Sequence, residues 1–134
     1  MSACPVSDQE PGAKARTILV VEDEVLIRMM IGTELRAAGF IVVEAANADE
    51  ALKVLQTTEP VDVMVTDIAM PGSMNGLRLA LLIHASWPRV KIVIASAYTP
   101  DWPTSTMVDA YVGKPYHPDH LIERIRLLLG SDDQ

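Results

Sequence analysis

Cysteine is nearly missing from this 134-residue chain: Cys4 stands alone, so no internal disulfide can form, which suits a reducing compartment. Positive charge is scarce too. Eleven Lys and Arg against eighteen Asp and Glu leave a formal charge of −7 and a pI near 4.8. That balance argues against nucleic acid and anionic membrane as partners, since both are held through clustered cations; a basic partner or a free cation suits it better. No apolar run approaches the roughly 18 residues that span a bilayer, and residues 1–15 lack the charged-then-apolar order of a signal peptide. A cytoplasmic location is the expectation. Repeats and low-complexity segments are also absent. What remains is a chain of one-domain length, 49% hydrophobic, long enough to close a core without staples.

Residues 1–16 carry Pro5, Pro11 and Gly12 with no apolar period and are expected to form a mobile arm. Order is expected over residues 17–130, with residues 131–134 as a frayed end. Thr17-Ile18-Leu19-Val20-Val21 is apolar after its first residue, as in a strand covered on both faces, and runs into Glu22-Asp23-Glu24. Residues 25–38 follow with Leu26, Met29, Met30, Thr33 and Ala37 at helical spacing, and Gly39 supplies the stop. Residues 40–45 are a second strand. Asn47, with Glu50 three places on, reads as a variant capping box before a helix carrying Ala51, Leu52, Val54 and Leu55. Residues 61–67 form a third strand, ending on Asp67 before the Pro71-Gly72 loop. Leu77, Ala80, Leu81 and His84 mark the next helix, closed by Trp87-Pro88. Residues 90–95 make a fourth strand ending at Ser96. Residues 110–113 make a fifth, running into Lys114-Pro115. From Pro118, Leu121, Ile122, Ile125, Leu128 and Leu129 define a last amphipathic helix to Gly130. Met29, Met30 and Met64 read as core filler, and Trp87 and Trp102, in loops, as candidates for a partner surface.

Strands and helices alternating five times over short connections predict a doubly wound parallel α/β fold. Parallel strands share one carboxyl edge, so the residues on which the strands end, Glu22 and Asp23, Asp67, Ser96 and Lys114, are expected around one shallow cleft. Three carboxylates held close together repel, and a hard divalent cation with oxygen ligands, Mg2+ above all, relieves the repulsion. Lys114 and the Ser96 hydroxyl add donors for an anion with several oxygens, and phosphoryl is the natural candidate. Asp67, central in the sheet, is the carboxylate best placed to attack it. The bland alternatives are that Glu22, Asp23 and Glu24 merely cap the first helix and that Asp67 is an ordinary turn residue.

The set Val20-Val21-Glu22-Asp23, Asp67 with Met70-Pro71 and Gly76, Ser96-Ala97 and Lys114-Pro115 resembles the receiver domain of bacterial two-component response regulators, over residues 17–130. The resemblance implies a flavodoxin-like strand order 2-1-3-4-5, a phosphoacceptor at Asp67, and Mg2+ held by Glu22, Asp23, Asp67 and the backbone carbonyl of Ala69. It also implies a switch pair of Ser96 and Tyr111, a histidine kinase or phosphotransfer protein as donor, and a downstream protein target. Residues 98–108 fill an interval shorter than in chemotaxis-type receivers, which implies a short or irregular fourth helix. The chain departs from the common pattern in having Glu-Asp for Asp-Asp at 22 and 23, and Ser for Thr at 96. A stand-alone, single-domain switch is expected, monomer or homodimer, and not an enzyme. A phosphatase of the haloacid dehalogenase type would want a second acid two places after the nucleophile, where Ala69 stands. Flavin mononucleotide fits poorly, because the first loop is acidic. A phosphorylation-independent module with a vestigial site ranks lower, since every key position is filled.

Overall fold

The structure, a computed structural model, describes residues 15–57, 60–67, 76–96, 109–113 and 117–133; for Gly76, Leu77, Ser96, Tyr111 and residues 131–133 it describes the backbone alone. Among the described residues nine elements run in order: β1 (Thr17–Val21), α1 (Val25–Ala37), β2 (Ile41–Ala45), α2 (Ala48–Thr57), β3 (Val63–Asp67), α3 (Gly76–Ser86), β4 (Lys91–Ser96), β5 (Ala110–Gly113) and α4 (Pro118–Asp133). The five strands are all parallel, in the order β2-β1-β3-β4-β5. The order reverses at β1, and at the carboxyl end of such a reversal the flanking loops part and leave a crevice. Register sets Val21 beside Thr66, Asp67 beside Ala95, and Ala95 beside Val112.

Alternation along each strand divides the apolar residues between two cores. Leu19, Val21, Met64, Ile92 and Ile94 meet Ala51, Leu55, Leu79 and Ile83 of α2 and α3 on one face. Ile18, Val20, Val63, Val65, Val93 and Val112 meet Ile31 and Leu35 of α1 and Leu121, Ile125 and Leu129 of α4 on the other. Both faces are covered, which is why the strands read as unbroken apolar runs.

Several expectations need correction. The apolar period assigned to α1 marks its solvent side: Leu26 is 80% exposed, Met29 53% and Met30 45%, while Ile31, Gly32 and Leu35 are buried. The helix carries apolar residues on its exposed as well as its buried side, so periodicity alone could not choose between two overlapping stripes. Met64 alone of the three methionines is core. In α3 it is Leu79, Ala80 and Ile83 that are buried, with Leu81 and His84 exposed. Trp87 packs against the first core instead of standing free, and Trp102 lies outside the described residues. Arg16, assigned to the mobile arm, is tied down: its carbonyl accepts from the Ile41 N–H at 2.9 Å and its guanidinium lies 3.4 Å from Asp62. The last helix passes Gly130 and ends at Asp133, since a glycine costs only about 1 kcal/mol in a helix interior. Gly39, with φ 100°, does end α1 as expected. The segment 98–108 lies outside the described residues. Among the described residues, no helix is long and apolar enough to cross a membrane.

Candidate functional site

Glu22 begins where β1 stops. Its N–H donates to the Ala45 carbonyl at 3.0 Å, adding one rung to the β1–β2 ladder. Its own carbonyl accepts from Arg28 Nη1 at 2.7 Å, and its carboxylate Oε2 accepts from the Glu24 N–H at 3.2 Å. Glu22 as a whole is 4% exposed. Asp23, next along, is exposed. Glu24 occupies the N-cap position of α1 without a side-chain capping bond, so the acidic run does not serve the helix in the ordinary way.

Asp67 closes β3, half-buried, with the buried Thr66 hydroxyl donating to its carbonyl at 3.1 Å. β3 pairs directly with β1, so the ends of the two strands lie side by side. One carboxylate oxygen each from Glu22, Asp23 and Asp67 lies within 4.8 Å of the others. Two like charges at that separation repel by about 1 kcal/mol in water, and by several where the surroundings are less polar.

The donor set suits Mg2+. An octahedral Mg2+ with bonds near 2.1 Å spaces its ligand oxygens about 3 to 4.2 Å apart, so carboxylates within 4.8 Å of one another need only a modest side-chain closure around one ion. An all-oxygen set with room for waters is what this hard cation takes in preference to nitrogen or sulfur ligands.

Ser96 ends β4 on the same edge, its backbone beside Gly113, the residue before Lys114. Tyr111 lies in β5 beside Ile94. The side chains of Ser96 and Tyr111, and the whole of Ala69 and Lys114, lie outside the described residues.

Residues 18–126 match the family model of the response regulator receiver domain. The chain belongs to that family. Receiver domains are the phosphorylation-dependent switches of two-component signalling. This receiver is 35% identical to the response regulator TrrA of Thermotoga maritima, solved in complex with Mg2+-BeF, over 84% of this chain and 98% of that one, with a TM-score of 0.77. A CheY-like receiver domain protein of Methanospirillum hungatei is 27% identical over 90% of this chain and 98% of its own, with a TM-score of 0.82. The alkaline phosphatase synthesis transcriptional regulatory protein SphR of Synechococcus elongatus is 35% identical over 86% of this chain, which covers 49% of SphR. The chain spans about half or less of the length of the curated relatives it matches.

Two residues at this receiver's site carried no signal in the strand and motif pattern: Arg28, which reaches the Glu22 carbonyl, and Glu44 on β2, which holds Arg28 Nε at 3.3 Å. The available clue was a lone carboxylate, Glu44, inside an otherwise apolar strand, which demands a cationic partner.

Proposed function

We propose that the chain accepts a phosphoryl group on Asp67 from the phosphohistidine of a histidine kinase or phosphotransfer protein and passes the change to a downstream protein. The gathering of the Glu22, Asp23 and Asp67 carboxylates at the carboxyl end of β1 and β3 carries this reading. An Asp67 carboxylate oxygen attacks phosphorus, the histidine N–P bond breaks, and an acyl phosphate forms on Asp67. Glu22, Asp23, Asp67 and the Ala69 carbonyl would hold Mg2+, which when bound would neutralise charge on the phosphoryl oxygens. Lys114 pairs with one of those oxygens and the Ser96 hydroxyl donates to another. Drawing Ser96 inward lets Tyr111 follow, which reshapes the surface around β5.

A phosphodonor domain has to come within bonding distance of Asp67. Val25, Leu26, Met29 and Met30, exposed on α1 directly after the acidic turn, give it an apolar face to dock on. Turnover of a free substrate is no part of the role: the chain is the acceptor in one transfer. The receiver unit is residues 17–130, and it works in the cytoplasm, where ATP-fed kinases renew the donor.

Incubating the purified chain with acetyl phosphate and Mg2+ tests this. The expected result is a gain of one phosphoryl mass on Asp67, lost in Asp67→Asn and in the presence of EDTA. Labelling that survives Asp67→Asn would refute it.

A further inference from the structure

Arg28, Gly32 and Arg36 recur at intervals of four along α1 and share one of its faces. That face carries a bracket around one carboxylate. Arg28 Nε donates to Glu44 Oε1 at 3.3 Å, and Arg36 Nη1 forms an ion pair with Glu44 Oε2 at 3.2 Å. Arg36 Nη2 adds a bond to the Val42 carbonyl at 3.2 Å. Between the two arginines sits Gly32, where a Cβ would stand 3.0 Å from Glu44 Oε2 and 3.2 Å from Arg36 Nη1. Glycine is what lets the carboxylate lie against the helix.

The geometry points to Arg28 as a positioning residue for the Mg2+ site: Glu44 and Arg36 aim its guanidinium so that Nη1 holds the Glu22 carbonyl, and this fixes the turn that presents Glu22 and Asp23. The inference rests on the proposed role of those two acids with Asp67 as Mg2+ ligands. Arg28 Nη1 to Glu22 O, at 2.7 Å, is shorter than the bonds of the Glu22 N–H to Ala45 and of the Glu24 N–H to the Glu22 carboxylate, and its donor is charged. A guanidinium is a rigid planar fork, so engaging Nε on Glu44 sets the direction of Nη1; a lysine ammonium has no such constraint. Octahedral Mg2+ tolerates little displacement of its ligands, so a loosened Glu22 turn weakens the site even where the fold survives. The bracket itself, two cations and one anion, carries one net positive charge close behind the acidic turn.

Calorimetric titration of the full chain with MgCl2, paired with thermal melts in EDTA, tests the assignment. Arg28→Lys keeps the charge and loses the fork; its Mg2+ affinity is expected to fall about tenfold, as for other residues that orient metal ligands. Gly32→Ala is the second variant. Alanine favours the helix, so the metal-free melt should not drop, yet the added Cβ displaces Glu44 and Mg2+ affinity should fall. A merely structural bracket would lower the melts and leave the affinity alone. Wild-type binding with equal affinity in both variants overturns the role of the bracket and leaves the Mg2+ site standing. Failure of the wild type to bind Mg2+ overturns both.

Discussion

The two ends of the β-sheet use the same residue type for opposite purposes. At the amino end Asp62 and Asp109 are bonded to the backbone of neighbouring strands. Asp62 accepts from the Thr17 N–H at 2.8 Å and pairs with Arg16 at 3.4 Å, and its main chain bonds both Thr17 and Lys91, so one residue ties the starts of β1, β3 and β4. Asp109 accepts from the Ile92 N–H at 2.7 Å while its own N–H donates to the Ile92 carbonyl at 2.8 Å, starting β5 beside β4. At the carboxyl end, three acids face one another within 4.8 Å. The first arrangement lowers the energy of the fold. The second sets like charges together, a repulsion that a bound cation would relieve.

That contrast can be broken by experiment, beginning with its largest consequence. Asp67→Asn should lose all phosphoryl labelling while its urea midpoint stays level or rises, because one repelling charge has gone; both are read on the same sample. Asp62→Ala should do the reverse, keeping the label while stability falls by about 2 kcal/mol in urea titration, since it strands a backbone donor and removes a charge-assisted bond. If Asp62→Ala instead abolished labelling at full stability, the division between the two ends would be wrong. Mg2+ at ten times its dissociation constant should stabilise the wild type by about 1.4 kcal/mol, and Asp23→Asn should lose that gain. Asp109→Ala, at a more exposed position, should cost about 1 kcal/mol and leave Mg2+ binding unchanged.

How much of this was legible in the chain depended on whether the signal was local. Thr17–Val21 and Ala110–Gly113 were readable to the residue, because each is a short apolar run stopped by a charge or a glycine. Asn47 and Glu50 announced α2: the Glu50 N–H donates to Asn47 Oδ1 at 2.9 Å. The reciprocal bond goes one residue further back than in the usual box, from the Ala46 N–H to Glu50 Oε1 at 2.7 Å. The meeting of Glu22, Asp23 and Asp67 followed from parallel topology alone, since both acid-bearing turns leave the same edge. Contacts between distant segments were not legible. Nothing near Asp62 says that it will meet Thr17, and nothing near Glu44 says that two arginines of α1 will close on it. The buried stripe of α1 was hidden for another reason: a helix apolar on both sides leaves the choice to the sheet it packs against.

The register across β3, β4 and β5 sets a length scale for the switch. Asp67, Ala95 and Val112 form a single row, and adjacent strands lie about 4.8 Å apart. From Asp67 to the outermost strand is therefore about 1 nm, crossed by two rungs of main-chain hydrogen bonds with no hinge between them. A partner covering the flank of β5 would therefore sit within touching distance of one docked at Asp67, and the two would have to take turns.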